Sequence, residues 1–210
     1  MKNKITINCQ SSIKITDDKI IYFDPYKITE NNHDADLIFI THDHYDHYDI
    51  ESIRNIMKET TKIIIPDKMA PIVLKDFKND NVIGVLPDNI YELEGIPVET
   101  IKSYNTNKNF HPETNNWVGY ILTLHNERIY VAGDTDITEE NKKVKCDIAL
   151  IPIGGTYTMD AKEAAELANI IKPKTVIPTH YITIVGTKKD EEMFKSLLDK
   201  SIECITLIDE

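Results

Sequence analysis

The chain has little cysteine and no long hydrophobic run, and these absences exclude several classes of protein. Its three cysteines, Cys9, Cys146 and Cys204, are odd in number and widely spaced, so we expect reduced, mostly buried thiols rather than a disulfide framework. No stretch approaches the roughly 20 apolar residues of a membrane-spanning helix. The amino terminus also lacks the pattern of a cleaved signal peptide. We therefore expect a soluble, cytoplasmic protein with no membrane partner.

Positive charge is also scarce. The 24 lysines and arginines are outnumbered by 35 aspartates and glutamates, which gives a net charge of -11. Such an excess of negative charge repels phosphate backbones, so we predict no nucleic-acid partner. The length of 210 residues and the hydrophobic content of 41% suit a sizeable core, and we expect a single domain over residues 1–210. The oligomeric state does not follow from the sequence.

Histidine is rare but locally concentrated. Of seven histidines in the chain, three fall within Thr41–His47, which reads THDHYDH. The apolar run Leu37–Ile40 before this segment predicts a strand, and helical spacing of isoleucines begins at Ile50. The histidines therefore lie in a loop between a strand end and a helix start, where catalytic groups often lie.

The spacing within this loop indicates a metal site. His42 and His44 can turn toward one ion, and Asp46 and His47 can then bind a second ion. A mixed set of imidazoles and carboxylates suits zinc, iron or manganese, whereas copper is disfavoured because no cysteine or methionine joins the cluster. The alternative is a polar surface loop with a chance run of histidines.

The remaining pattern predicts strands covered by helices. A helix is predicted over Pro66–Phe77, although Pro71 disfavours it. The near-continuous apolar run Ile148–Ile153 predicts a strand buried on both faces. Asp160 and Glu163 form a capping box at the start of a further helix. This mixture predicts a layered α/β sandwich.

Further polar residues stand near predicted strand ends. His111 lies in the polar loop Asn105–Asn116, Asp134 follows a strand and a glycine, and His180 ends an apolar strand. His111 could instead be a surface histidine. Asp24 precedes a proline, so an ordinary turn residue is the alternative to a functional acid there.

Taken in order, these residues resemble the metallo-β-lactamase superfamily over nearly the whole chain. The resemblance implies an α/β fold, namely a four-layer αββα sandwich of two mixed β-sheets flanked by helices, with two divalent metal ions at one edge. Zinc is the first expectation, with manganese or iron as alternatives. The implied ligands are His42, His44 and His111 on one ion and Asp46, His47 and His180 on the other, with Asp134 bridging. Asp24 would orient ligands without binding metal.

Two segments point to a branch of that family. Ile151–Asp160 and Ile177–Tyr181 are similar to the branch that contains ascorbate-6-phosphate lactonase and the N-acyl-phosphatidylethanolamine phospholipases, which does not fix the substrate. Backbone N–H groups of Gly154–Met159, or the side chains of Thr156 and Tyr157, could hold an anionic group at a helix start. An ordinary strand-to-helix turn is an equal alternative.

The resulting hypothesis is a dinuclear metal-dependent hydrolase. A metal-bridging hydroxide would attack a small ester, lactone or phosphodiester, and the small-molecule substrate could be anionic. Asp46 and Asp134 are the candidate catalytic carboxylates, with Asp46 able to pass a proton to the leaving group. The alternatives are an iron-dependent oxidoreductase on the same ligands and a non-catalytic metal-binding protein.

Overall fold

Two mixed β-sheets pack face to face in the computed structural model, which describes residues Met1–Ile208. The first sheet contains, in spatial order, β1 (Ile5–Ile7), β2 (Ile13–Thr16), β3 (Ile20–Phe23), β4 (Ala35–Phe39), β5 (Met57–Pro66) and β6 (Val82–Val85). The second sheet contains, in spatial order, β13 (Glu203–Cys204), β12 (Thr175–Thr179), β11 (Ile148–Pro152), β10 (Glu127–Val131), β9 (Val118–Leu124), β8 (Ile96–Lys102) and β7 (Ile90–Leu93).

Each sheet is antiparallel in its first part and parallel in its second. Strands β1 to β3 pair antiparallel and β3 to β6 pair parallel. In the same way, β7 to β10 pair antiparallel and β10 to β13 pair parallel. Parallel neighbours end at the same edge of a sheet, so the loops that follow them are brought together there.

Helices cover the outer faces of both sheets. The α-helices are α1 (Ile50–Ile56), α2 (Ala70–Val73), α3 (Ala161–Ile171) and α4 (Lys188–Leu197). Residues of α1 and α2 share a buried cluster with the first sheet, whereas α3 packs against the second. The predicted four-layer αββα sandwich is therefore confirmed. Within the described range, no helix combines the length and apolar character needed to cross a membrane.

Strand β4 is buried on both faces. Its inward side chain Phe39 stacks on Phe23 with ring centroids 4.9 Å apart and meets Tyr120 of the second sheet edge-on at 5.0 Å. Its outward side chain Ile38, together with Ile40, belongs to the cluster beneath α1. Burial on both sides explains why the run Leu37–Ile40 is continuously apolar rather than alternating. The packing fixes the end of β4, from which the histidine loop emerges.

The predicted helix over Pro66–Phe77 is wrong in extent. Strand β5 runs through Pro66, and regular α-helix is confined to the four residues Ala70–Val73. Pro71 lies in the first turn of this helix, where a missing backbone N–H is tolerated.

The predicted burial of the cysteines is also too high, because all three are free but only half-buried.

Candidate metal centre

The histidine loop leaves the carboxyl end of β4 and turns directly into α1. His42, Asp46 and His47 are buried, and His44 is half-buried. The turn is closed by the side chain of Asp49, which accepts a hydrogen bond from the backbone N–H of Glu51 at the start of α1. Local capping therefore holds the loop in one conformation against the sheet edge.

The second sheet supplies the remaining predicted residues at the same edge. His111 lies in the loop between β8 and β9, Asp134 follows β10, and His180 directly follows β12, all three being buried. The backbone at Gly154 lies so close to His180 that a Cβ there would be 2.3 Å from the His180 carbonyl oxygen. A glycine after β11 is thus required for this approach.

The structure brings the predicted residues together in overlapping groups. In each group, one potential ligand atom from each residue lies within 4.8 Å of the others. The groups are His42, His44 and His111; Asp46, His47 and His180; and His42, His47 and Asp134. The first two groups match the two expected ligand sets, and the third joins them.

Asp134 lies at the centre of the arrangement. Its Oδ2 is 3.0 Å from Nε2 of His180 and 3.3 Å from Nε2 of His111. Its Oδ1 is 3.4 Å from Nε2 of His47. One carboxylate therefore contacts imidazoles from both ligand sets, as a bridging group must.

The donor set fits divalent metal ions. Among the described residues, the buried side-chain atoms without a hydrogen-bond partner include Nε2 of His47, Nε2 of His111 and Oδ1 of Asp134. Buried polar atoms normally have partners, so these atoms require a bound species in the space between them. Imidazole nitrogens and carboxylate oxygens are typical ligands of zinc.

The electrostatics of the centre also favour added positive charge. Burial opposes charging of His180, but Asp134 and Asp46 outweigh this effect and raise its pKa to about 9. Burial likewise opposes charging of His47, yet Asp134 and Asp24 raise its pKa well above the usual value. Three buried carboxylates, Asp134, Asp46 and Asp24, thus favour protonation of these two histidines when no metal is bound. Since a ligating imidazole must be deprotonated, metal binding at neutral pH should release protons.

Asp24 occupies the position predicted for an orienting acid. This fully buried carboxylate accepts hydrogen bonds from the backbone N–H of Thr41 at 2.8 Å and from its hydroxyl at 2.7 Å. It also lies 2.7 Å from Nδ1 of His47. The contact fixes which nitrogen of His47 faces the centre, namely Nε2.

Gln10 contacts two of the predicted ligands, although no sequence pattern points to it. Its side-chain Nε2 donates to Oδ2 of Asp46 at 3.3 Å, and its backbone carbonyl accepts from the N–H of His180 at 2.9 Å. Gln10 is fully buried, with a φ of 54°. The residue lies far from both partners in the sequence, and no local motif marks it.

Asn105 was predicted only as the start of a polar loop, yet it organises that loop. Its Oδ1 accepts from the backbone N–H of His111 at 3.0 Å and lies 3.1 Å from Nδ1 of the same residue. Its Nδ2 donates to the carbonyl of Tyr157 at 2.9 Å. Asn105 therefore orients His111 and ties it to the segment after β11.

Trp117, the one tryptophan of the chain, packs against the histidines. Its ring centroid is 5.0 Å from those of His42 and His44 and 5.5 Å from that of His111. The indole shields this ligand set from solvent. It also provides a fluorescent reporter next to the centre.

Residues outside the centre include the other two histidines. His33 contacts the carbonyl of Met57, and His125 pairs with Asp17 at 2.8 Å. Both are exposed, and neither lies in a group with the predicted ligands.

Several backbone donors of the segment Gly154–Met159 bond within the protein. The N–H groups of Gly155 and Thr156 donate to the carbonyls of Met159 and Gly154, respectively. The capping box of Asp160 and Glu163 occupies the start of α3. These contacts form a strand-to-helix turn, and the predicted anion site on this segment, including the side chains of Thr156 and Tyr157, stays a prediction.

A family model and a related sequence both match most of this chain. The family model described as "Beta-lactamase superfamily domain" matches residues 4–180. A UPF0173 metal-dependent hydrolase of Pyrococcus abyssi is 31% identical over 206 residues, which covers 94% of this chain and 90% of that relative.

Solved structures resemble this chain over almost its full length. A protein described as a metal-dependent hydrolase from Parabacteroides distasonis superposes with a TM-score of 0.81 and 28% identity, covering 98% of this chain and 93% of the other. CmlA, a diiron beta-hydroxylase from Streptomyces venezuelae, gives a TM-score of 0.75 at 13% identity, covering 97% of this chain and 52% of that protein. At this low identity, the second likeness concerns the fold alone.

Proposed function

Because the chain belongs to the beta-lactamase superfamily and is a metal-dependent hydrolase, we propose that it is a dinuclear enzyme acting on a small ester, lactone or phosphodiester. One observation carries this proposal: Asp134 contacts imidazoles of both ligand sets at 3.0–3.4 Å. A site for a single ion would not need the second set of buried ligands.

In this proposal, each ligand set holds one ion. His42, His44 and His111 hold the first, and Asp46, His47 and His180 hold the second, with Asp134 shared between them. Zinc is the proposed metal because histidine and aspartate are among its usual ligands. Metal bound by these residues would supply a water of lowered pKa and would polarise the oxygen of a carbonyl or phosphoryl group.

The side chains around the ligands set orientation and proton transfer. Although burial disfavours the charged form of Asp46, contacts with His180 and His47 keep its pKa far below the usual value, so this residue is a carboxylate at neutral pH. A carboxylate can accept a proton from the attacking water and pass it to the leaving group, but it holds no proton in advance. Gln10 holds Asp46 in place, and Asp24 holds His47.

Removal and return of metal test this function. After treatment with a chelator, we expect kcat/KM to fall at least about 100-fold, because the ions generate the nucleophile. The assay measures hydrolysis of phenyl acetate, a γ-lactone and bis(p-nitrophenyl) phosphate before and after chelation. Adding two equivalents of zinc or manganese should restore activity toward at least one of these compounds.

Other outcomes would favour the rival functions. Recovery only with iron, accompanied by consumption of oxygen, would identify an oxidoreductase. Full metal loading without turnover of any compound in the panel would instead support a non-catalytic metal-binding protein. The control is chelator already saturated with metal, which should leave the activity unchanged.

A further inference from the structure

A cavity of about 230 Å³ opens directly onto the metal centre. Four of its lining residues belong to the proposed ligand sets, namely His44, Asp46, Asp134 and His180. The other four are Tyr45, Phe110, Tyr157 and Ile184, which we call the aromatic wall. A cavity of about 150 Å³ is large enough to hold benzene, so this one has room for a ring beside the reacting group.

The aromatic wall exposes apolar surface next to carboxylates. Tyr45 is 66% exposed and Phe110 is 46% exposed, although both are large side chains that contribute to a concave surface. Apolar surface concentrated in a cavity with a few convergent polar groups is characteristic of small-molecule sites. The wall therefore supplies binding energy through contact with an apolar ligand group.

The cavity provides no side-chain cation for a charged group. Among the residues described, neither lysine nor arginine contributes to its lining. Lys108, on the same loop as Phe110, is paired with the buried carboxylate of Asp136 at 2.7 Å. The ammonium of Lys27 lies 5.1 Å from the ring centroid of Tyr26, outside the lining. A negatively charged substituent placed against the wall would meet the neutral hydroxyls of Tyr45 and Tyr157 but no cationic side chain to offset its lost hydration.

The position of the aromatic wall is fixed relative to His111, a proposed metal ligand. Phe110 directly precedes His111, and its ring meets the ring of Tyr157 edge-on at a centroid distance of 4.7 Å. Asn105 bonds both the backbone of His111 and the carbonyl of Tyr157. A single amide side chain therefore fixes the distance between the wall and the centre, as a specificity pocket requires.

We propose that the substrate carries an uncharged, apolar group of about the size of a phenyl ring next to its scissile bond, and that this group binds against the aromatic wall. The inference rests on the proposed function, because the cavity opens onto the same metal centre. Phe110 and Tyr157 are then specificity-determining residues that contact the substrate. Within the proposed compounds, esters and lactones with apolar substituents are favoured over substrates with a second anionic group.

The test compares hydroxamates, which bind metal ions and are read out by calorimetry without turnover. The probes are acetohydroxamate, phenylacetohydroxamate and succinyl monohydroxamate, titrated into zinc-loaded protein. We expect phenylacetohydroxamate to bind about 30-fold more tightly than acetohydroxamate, the order expected for burying a phenyl group. The succinyl compound, with its distal carboxylate, should bind no more tightly than acetohydroxamate.

Substitutions in the aromatic wall test whether it causes the tighter binding of phenylacetohydroxamate. Phe110→Ala should reduce the ratio of the two affinities to about threefold, because it removes the exposed ring, whereas Phe110→Leu should retain most of it. Tyr157→Ala should independently reduce the same ratio of affinities. Ile170→Ala is the matched control, since Ile170 is 39% exposed near the end of α3 and does not line the cavity.

The outcomes separate this inference from the function on which it rests. Equal affinities for acetohydroxamate and phenylacetohydroxamate in the wild-type protein would overturn the inference alone, since the metal centre would still bind its probe. A preference that survives both Phe110→Ala and Tyr157→Ala would also overturn it. Failure of the protein to take up stoichiometric zinc would overturn the metal centre and the inference with it, whereas zinc-loaded protein that binds no hydroxamate would overturn the inference.

Discussion

Replacing Asp134 by asparagine is expected to lower kcat/KM by about a thousandfold or more and to remove most of the bound metal. Mutating even the partners that orient metal ligands lowers affinity or activity about 10- to 100-fold, and Asp134 lies among the proposed ligands themselves. The amide keeps the shape of the side chain but removes the negative charge that faces His47, His111 and His180. Kinetics and elemental analysis of the same preparation measure both effects.

The matched control for this change is Asp18→Asn, an identical substitution at a side chain that is 86% exposed. It should leave metal content and kcat/KM within about twofold of the wild-type values, as surface substitutions usually have small effects. If Asp134→Asn retained wild-type metal content and activity, the bridging role would be wrong.

Replacing Asp24 by asparagine is expected to weaken metal binding by about 10- to 100-fold, although Asp24 lies outside the ligand sets. Its carboxylate fixes the orientation of His47 and the start of the histidine loop through Thr41. Without metal, the change also leaves a buried His47 without its charged partner. We therefore expect the free energy of unfolding of the metal-free protein to fall by about 3 kcal/mol.

Two measurements address these effects of Asp24→Asn separately. Competition with a chromogenic chelator gives the metal affinity, and urea unfolding of chelator-treated protein gives the stability. Asp199→Asn is the control, because the Asp199 side chain is exposed and accepts hydrogen bonds from Ser201 within its own turn. Identical results for the two variants would mean that Asp24 is an ordinary turn residue.

The fold and the core of the site could be predicted because their signals are local. The run Leu37–Ile40 is continuously apolar since both faces of the sheet are buried there, and the histidine loop follows it directly. The capping box at Asp160 and Glu163 likewise depends on residues three positions apart, and it forms as predicted. Hydrophobic patterns and helix caps involve residues close together in the chain, so a single sequence is enough to predict them.

The supporting contacts could not be predicted, because they join residues that are distant along the chain. Gln10 bonds Asp46 and His180, and Asn105 bonds Tyr157. Nothing in the local pattern around Gln10 or Asn105 distinguishes them from other polar loop residues. Their roles appear only when the two sheets are packed together.

The bounds of secondary-structure elements are predicted less accurately than their presence. The helix predicted over Pro66–Phe77 is mostly absent because β5 continues to Pro66, and regular α-helix, with Pro71 in its first turn, spans Ala70–Val73. The resemblance of Ile151–Asp160 and Ile177–Tyr181 to a particular branch of the family stays a prediction. In the structure, these segments supply Tyr157 to the aromatic wall and His180 to the centre.

The metal stoichiometry of protein purified without chelators tests the central claim most directly. Elemental mass spectrometry should find two zinc or manganese ions per chain in the wild-type protein. It should find about one in His111→Ala, which removes a ligand from one set only. Absence of stoichiometric metal, a single iron, or an unchanged content in His111→Ala would contradict a dinuclear hydrolase built on these residues.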